Sequence, residues 1–256
     1  MKSRSQPIFS SKAQLNELAK LVQNYVRLPF SPIAVPGGVL EGALSHVRGA
    51  KVLGKYDFVD VVDERRKIGW QVKSTLEKTP ITWKRVKLKN RESLIDKSIG
   101  SEAAIQVLGD TIIAFCNEHA RRSFEKHELE EIGYARLIIH KDRLATYFER
   151  VLCTKDDPRV FHAEDFKWTW SKQKETKGKD QLSALHGIHI KTKTRWFAWH
   201  GRGENQLHFT GEGSWWPAKG QNTNAIRFTL PTEAQRLSVE QFADLLANTE
   251  NPLPEV

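Results

Sequence analysis

Lys55-Tyr56-Asp57-Phe58-Val59-Asp60-Val61-Val62 and Gly69-Trp70-Gln71-Val72-Lys73-Ser74-Thr75 are the two segments whose reading decides the fold. Phe58, Val59, Val61 and Val62 make an apolar run with strand character. The charged patch Asp63-Glu64-Arg65-Arg66-Lys67 forms the turn, and Ile68 to Val72 begins the return strand. Residues two apart on a strand share a face, so Gln71 and Lys73 point one way and Trp70 and Val72 the other. With Asp57 beside them, an acid, an amide oxygen and an ammonium converge.

That set of groups suits phosphodiester hydrolysis. Asp57 and the Gln71 side-chain oxygen are hard donors of the kind that hold Mg2+, and the Val72 carbonyl can add a third oxygen. A cation so held polarises a phosphoryl oxygen and lowers the pKa of a bound water. Lys73 is placed to orient or deprotonate that water, or to offset charge in the transition state. Asp57 and Gln71 lie fourteen positions apart, room for a strand, a turn and a return strand.

Asp57 followed by Gln71-x-Lys73 resembles the PD-(D/E)xK nuclease signature in its Q-x-K form, over roughly residues 36–140. The resemblance implies a mixed central sheet flanked by helices, as in restriction endonucleases, and magnesium-dependent cutting of nucleic acid. It favours Asp57 over Asp60, because the acid of that family usually opens the apolar strand. Tyr56 stands where proline is common. Gln71 stands where an acid is usual, which leaves the metal site one charge poorer and raises the value of a further carboxylate. A glutamate on the preceding helix often reaches the site in the family, and Glu41 is the candidate here. The bland alternative is a charged strand pair with a solvated face, Asp57 and Lys73 forming a structural ion pair.

The chain has 256 residues, 39% of them hydrophobic, enough for one large domain or a core with an appended module. Its net charge of +9 and pI near 9.5 favour a polyanionic partner. Two cysteines, Cys116 and Cys153, are too few for a disulfide framework and read as reduced core residues. No apolar run approaches a membrane span, and no apolar signal core follows Met1-Lys2-Ser3-Arg4, so a cytoplasmic protein with no membrane partner is expected.

Outward from the central segments, residues 11–27 read as an amphipathic helix capped by Ser10 or Ser11, and 39–47 as a short helix carrying Glu41. After Lys73 the chain turns basic. Lys84, Arg85 and Lys87 are candidate phosphate contacts, with a solvated cationic loop as the alternative. Residues 101–124 read as a helix, although Gly109-Asp110 leaves open a strand at 111–116. Residues 134–140 read as a strand, and 144–152 as a further apolar stretch.

These signals predict an α/β (α+β) fold with three parts. Residues 1–154 would be a nuclease core with N-terminal helices, 155–181 a basic loop or linker, and 182–256 a β-rich region ending in a helix at 238–246. Ile188 to Phe197 alternates like one strand, and 206–210 and 225–230 like two more. Within the glycine-rich loop 200–206, Arg202, Asn205 and Gln206 are candidate base readers, since Arg pairs with guanine and Asn or Gln with adenine. Trp215-Trp216 reads as core, and 252–256 as a loose tail.

The leading expectation is a magnesium-dependent endonuclease of double-stranded DNA, of the type II restriction kind. Such enzymes commonly work as homodimers that match the two-fold symmetry of the site. A repair or structure-selective nuclease of the same superfamily is the second reading, and a non-catalytic nucleic-acid-binding protein the third.

Overall fold

The computed structural model describes residues 8–54, 57–172, 174–176, 179–181, 183–211 and 224–248. Lys55, Tyr56, Trp215-Trp216 and the tail at 252–256 lie outside these residues. Among the described residues no helix is long and apolar enough to cross a membrane.

The fold is mixed α and β, with two sheets sharing one core. Helix α1 (Lys12–Val26) starts at a capping box in which Ser11 and Gln14 satisfy each other's amides. Helix α2 (Gly37–Arg48) ends at Gly49 in the left-handed region, a conformation glycine takes without strain. The buried stripes Leu15, Leu18, Val22 and Leu40, Leu44 pack together on one face of the first sheet, against Val61, Trp70, Val72 and Leu137.

The first sheet has strand order β1 (Lys51–Val52), β2 (Val61–Asp63), β3 (Ile68–Leu76), β5 (Glu131–Ile139), β6 (Leu144–Thr154) and β13 (Asn224–Thr229). Neighbours are antiparallel except β3 and β5, which are parallel and joined by a crossover containing α3 (Arg91–Ser98) and α4 (Glu102–Lys126). Helix α4 runs unbroken through Gly109-Asp110, which closes the option of a strand at 111–116. Gly109 serves close approach instead: a Cβ there would lie 2.2 Å from the Trp168 ring. Cys116 and Cys153 are free and buried, and burial pushes both thiols up to about 12. That is the state of inert core residues.

The second sheet has order β4 (Ile81–Arg85), β12 (Gln206–Phe209), β11 (Arg195–Trp199), β10 (Leu185–His189) and β7 (Phe166–Trp170). It closes one alternative and corrects two expectations. The segment after Lys73 is not a loop: β4 leaves the first sheet and becomes an edge strand of the second, with Trp83 buried among Phe58, Tyr134, Phe161 and Phe209 at 5.0–6.3 Å between ring centroids. The stretch 155–181 is not a plain linker either. It contains β7, whose Phe166 and Trp168 are buried, and the two-stranded ribbon β8 (Lys174–Thr176) and β9 (Lys179–Gln181). Third, Ile188 to Phe197 is two strands: β10 and β11 are joined by a turn in which Lys193 has φ +57° and His189 Nδ1 lies 2.9 Å from Thr192 Oγ1. Both expected boundaries, at 154/155 and 181/182, are bridged by strand pairing, β13 with β6 and β12 with β4.

The last helix, α5 (Val239–Ala247), is the one expected at 238–246 and begins at a Ser238/Gln241 capping box.

Candidate active site

Strand β2 begins at Val61, opposite Trp70, so β3 runs on past it and presents Gln71-Val72-Lys73 at an open edge. Asp60 stands at the mouth of that edge. Its amide donates to the Trp70 carbonyl at 2.7 Å, and its Oδ2 accepts the Val72 amide at 2.7 Å. The Lys73 ammonium lies 3.7 Å from the same Oδ2, with both side chains mostly buried. Glu41, on α2, is near enough to interact with both charges. Burial pushes its carboxyl above the usual range; Asp60 adds to the rise and Lys73 pulls against it. Two carboxylates and an ammonium thus share one edge.

Asp57 occupies a different position from the one expected. Its Oδ2 is 2.8 Å from Lys126 Nζ and 3.3 Å from His127 Nε2, at the C-terminal end of α4. Burial pushes its carboxyl up, but the bonds from Lys126 and His127 outweigh that and hold it below the usual range. Asp60 takes the place beside Lys73 because the chain between Asp57 and Val61 turns before the strand begins: Phe58 and Val59 are core residues but not part of β2. Lys126 and His127 carry no periodic signal that ties them to Asp57, and the sequence did not single them out.

Gln71 is 1% exposed, and its Oε1 has no hydrogen-bond donor among the described residues. A buried acceptor left this way costs about 1–3 kcal/mol. Among the described residues no three His, Cys, Asp or Glu side chains gather as a metal cage. The donor set here is two carboxylates and one amide oxygen, all hard, and the unsatisfied Oε1 and the mutual repulsion of Glu41 with Asp60 are both relieved by a divalent cation. Hard oxygen donors of this kind are the class that magnesium takes. Val72 meets Asp60 through its main-chain amide, its side chain being buried on the opposite face.

The strain on Glu41 gives a measurable sign. An acid whose pKa is raised in the fold ionises later than in the unfolded chain, so stability is lost as pH rises through the folded value. Glu41→Gln is expected to raise the melting temperature at neutral pH and to change nothing well below pH 4.5, the ordinary glutamate value, by calorimetry across that range.

The expected DNA contacts are dispersed. Lys84 is half-buried, donates to the Asp57 carbonyl at 2.9 Å, and is held below its usual range by burial first and Lys73 next among the causes that lower it. It pins the Asp57–Asp60 turn. Arg85 is 3.9 Å from Glu204, and Lys87 is exposed. Arg202 is exposed, 5.9 Å over the Trp170 ring. Asn205 Oδ1 accepts from Arg91 at 3.1 Å, and Gln206 is bonded to Glu204 and to His208. Asn205 and Gln206 therefore spend their polar atoms locally, which leaves Arg202 the freest of the three expected readers.

The chain matches no family model, and no curated protein or solved structure matches it.

Proposed function

We propose that the chain is a magnesium-dependent endonuclease of double-stranded DNA, with Asp60, Glu41, Gln71 and Lys73 as its working residues. The observation that carries this reading is the Asp60–Lys73 pair, 3.7 Å apart at the open edge of β3, with Glu41 raised by both burial and Asp60. The element order supports it: two helices, three antiparallel strands of the first sheet, β4 of the second, then α3, α4 and a strand parallel to β3, which makes the mixed sheet flanked by helices that the resemblance to PD-(D/E)xK nucleases implies. A restriction-endonuclease-like core is the finer reading of the fold, with Asp60 rather than Asp57 as its acid.

Asp60, Gln71 Oε1 and Glu41 would hold the cation. Bound there, magnesium supplies Lewis-acid polarisation of a phosphoryl oxygen and a water of lowered pKa. Lys73 orients that water or neutralises charge gathering on the phosphoryl group. The Val72 amide fixes the rotamer of Asp60, and Lys84 holds the turn that carries it. The positive field of the chain draws the DNA in. A homodimer would set one such centre on each strand of a two-fold site.

The test is plasmid cleavage with magnesium and with chelator, read beside the melting temperature. Cutting is expected with magnesium alone. Lys73→Ala is expected to cut about 10²–10³-fold more slowly, and magnesium to raise the melting temperature of the native protein more than that of Glu41→Gln. Equal cleavage by Lys73→Ala overturns the mechanism. DNA binding indifferent to magnesium, with no cutting, makes the Asp60–Lys73 pair structural and the protein a binder. Discrete fragments from several plasmids mark a sequence-specific restriction enzyme; cutting only at junctions or damage marks a repair nuclease.

A further inference from the structure

The second sheet turns Trp83, Leu185, Phe197, Trp199, Leu207 and Phe209 toward the shared core. Its other face carries a row of register partners running straight across the strands: Thr169, His186, Ala198, His208, Thr82. Ala198 is the smallest member and sits between the two histidines, so the row sinks at its centre. The hollow has a volume of about 210 Å³. Lys172, Arg195 and His200 complete its polar rim with Ser171 and Thr210, and among the described residues no carboxylate lines it. The His200 and His208 rings are 5.0 Å apart, and Arg195 Nη1 is 3.5 Å from His186 Nε2.

Two lysine or arginine cations, three imidazoles and the Ser171 hydroxyl around one depression form a site for a compact oxyanion, while Thr210 spends its hydrogen on the Arg195 carbonyl. Guanidinium and imidazole N–H groups give directional, charge-assisted bonds to phosphate oxygens. Size decides how much of a ligand enters. Small-molecule pockets run roughly 300–1,000 Å³, so this one admits a phosphate group and leaves whatever bears it outside. We infer that the outer face of the second sheet is a binding site for a single phosphate group, carried by a nucleic-acid backbone or by a free phosphate. The site is separate from Asp60 and holds whether or not the chain cuts DNA.

Binding should take up protons. Burial lowers His200 first, with Arg195 adding to the effect. Burial likewise lowers His208, with His200 adding and Glu204 opposing. Among the described residues the remaining charges on the hollow are Lys172 and His186, and Glu204 itself is paired with Arg85. Both lowered histidines are therefore neutral at pH 7 in the free protein, and a bound dianion favours their charged forms.

Sulfate is the probe for the pH arm, because it stays a dianion across the range. Histidine ring resonances followed by NMR should show saturable sulfate binding that tightens as pH falls from about 8 to 6, by at most about tenfold per pH unit for each proton taken up. Arg195→Gln/His208→Gln should abolish it. Ala198→Leu, which fills the hollow without altering charge, should abolish it too. Inorganic phosphate and a single-stranded oligonucleotide are then set against sulfate. Displacement by both names a backbone phosphodiester as a ligand; displacement by inorganic phosphate alone names free phosphate. Rings that do not respond to sulfate, or that respond equally in the Ala198→Leu protein, overturn the proposal.

Discussion

An Asp60→Asn protein is expected to lose cleavage by about 10²–10³-fold, while Asp57→Asn keeps it within a few-fold. Asparagine at 60 retains an oxygen for the Val72 amide, so the edge of β3 keeps its shape. What disappears is the charge that faces Lys73 and the cation. The melting temperature should therefore hold, and rate and magnesium affinity should fall together. At position 57 the carboxylate serves Lys126, which is well exposed, and His127. Exposed pairs contribute about 0–1 kcal/mol, so the expected change is a small loss of stability and little loss of rate. If Asp57→Asn cuts as poorly as Asp60→Asn, the acid of the site is Asp57 and the edge geometry has been misread.

The largest stability effect is expected at Glu149, far from that edge. Its carboxylate is fully buried on β6. It accepts the Ser10 amide at 2.7 Å, the Ser10 hydroxyl at 2.6 Å and the Tyr147 hydroxyl at 2.8 Å, with Asn224 Nδ2 at 3.3 Å. Arg48, itself 5% exposed, adds the balancing charge from the end of α2 and lies 4.9 Å over the Trp70 ring. Burial, then Glu149, pushes the Tyr147 hydroxyl well above its usual range, so it remains a donor. One carboxylate thereby ties together the segment before α1, the end of α2, β6 and β13. Removing one partner of a buried ion pair costs about 3–5 kcal/mol because the other charge is left uncompensated. Glu149→Ala should cost that much in urea unfolding, and Glu149→Gln less. A loss under about 1 kcal/mol for the alanine protein would mean that Arg48 finds compensation elsewhere.

Local chemistry made much of the fold legible. The apolar spacing of residues 11–27 announced α1, with its cap left between Ser10 and Ser11, and the alternation Trp70/Gln71/Val72/Lys73 gave the two faces of β3 correctly, because each signal is complete within a few residues. Sheet membership is not local. Ile81-Thr82-Trp83 alternates as a strand, but nothing in it says that its partner is β12, more than a hundred residues on. Phe166-Lys167-Trp168-Thr169-Trp170 carried a period of two that the charged surroundings concealed. The choice between Asp57 and Asp60 rested on where β2 begins, and a shift of a few positions in that start changes which carboxylate meets Lys73. Glu149 carries no local sign of its role, because Ser10, Arg48 and Asn224, which close around it, come from distant parts of the chain.

Strand β4 sits in the second sheet although its neighbour in sequence, β3, sits in the first, and β13 returns to the first after the second is complete. The two layers are therefore laced together during synthesis. A nascent chain cannot finish the layer that holds Asp60 and Lys73 until residue 229 has emerged, and until residue 206 emerges β4 waits with its hydrogen-bonding edge bare. Such late, distant pairings slow folding and expose sticky edges meanwhile. Slower translation or a holding chaperone should accordingly improve the soluble yield of this chain, and pieces ending near 154 or 181 should clump rather than behave as small working units.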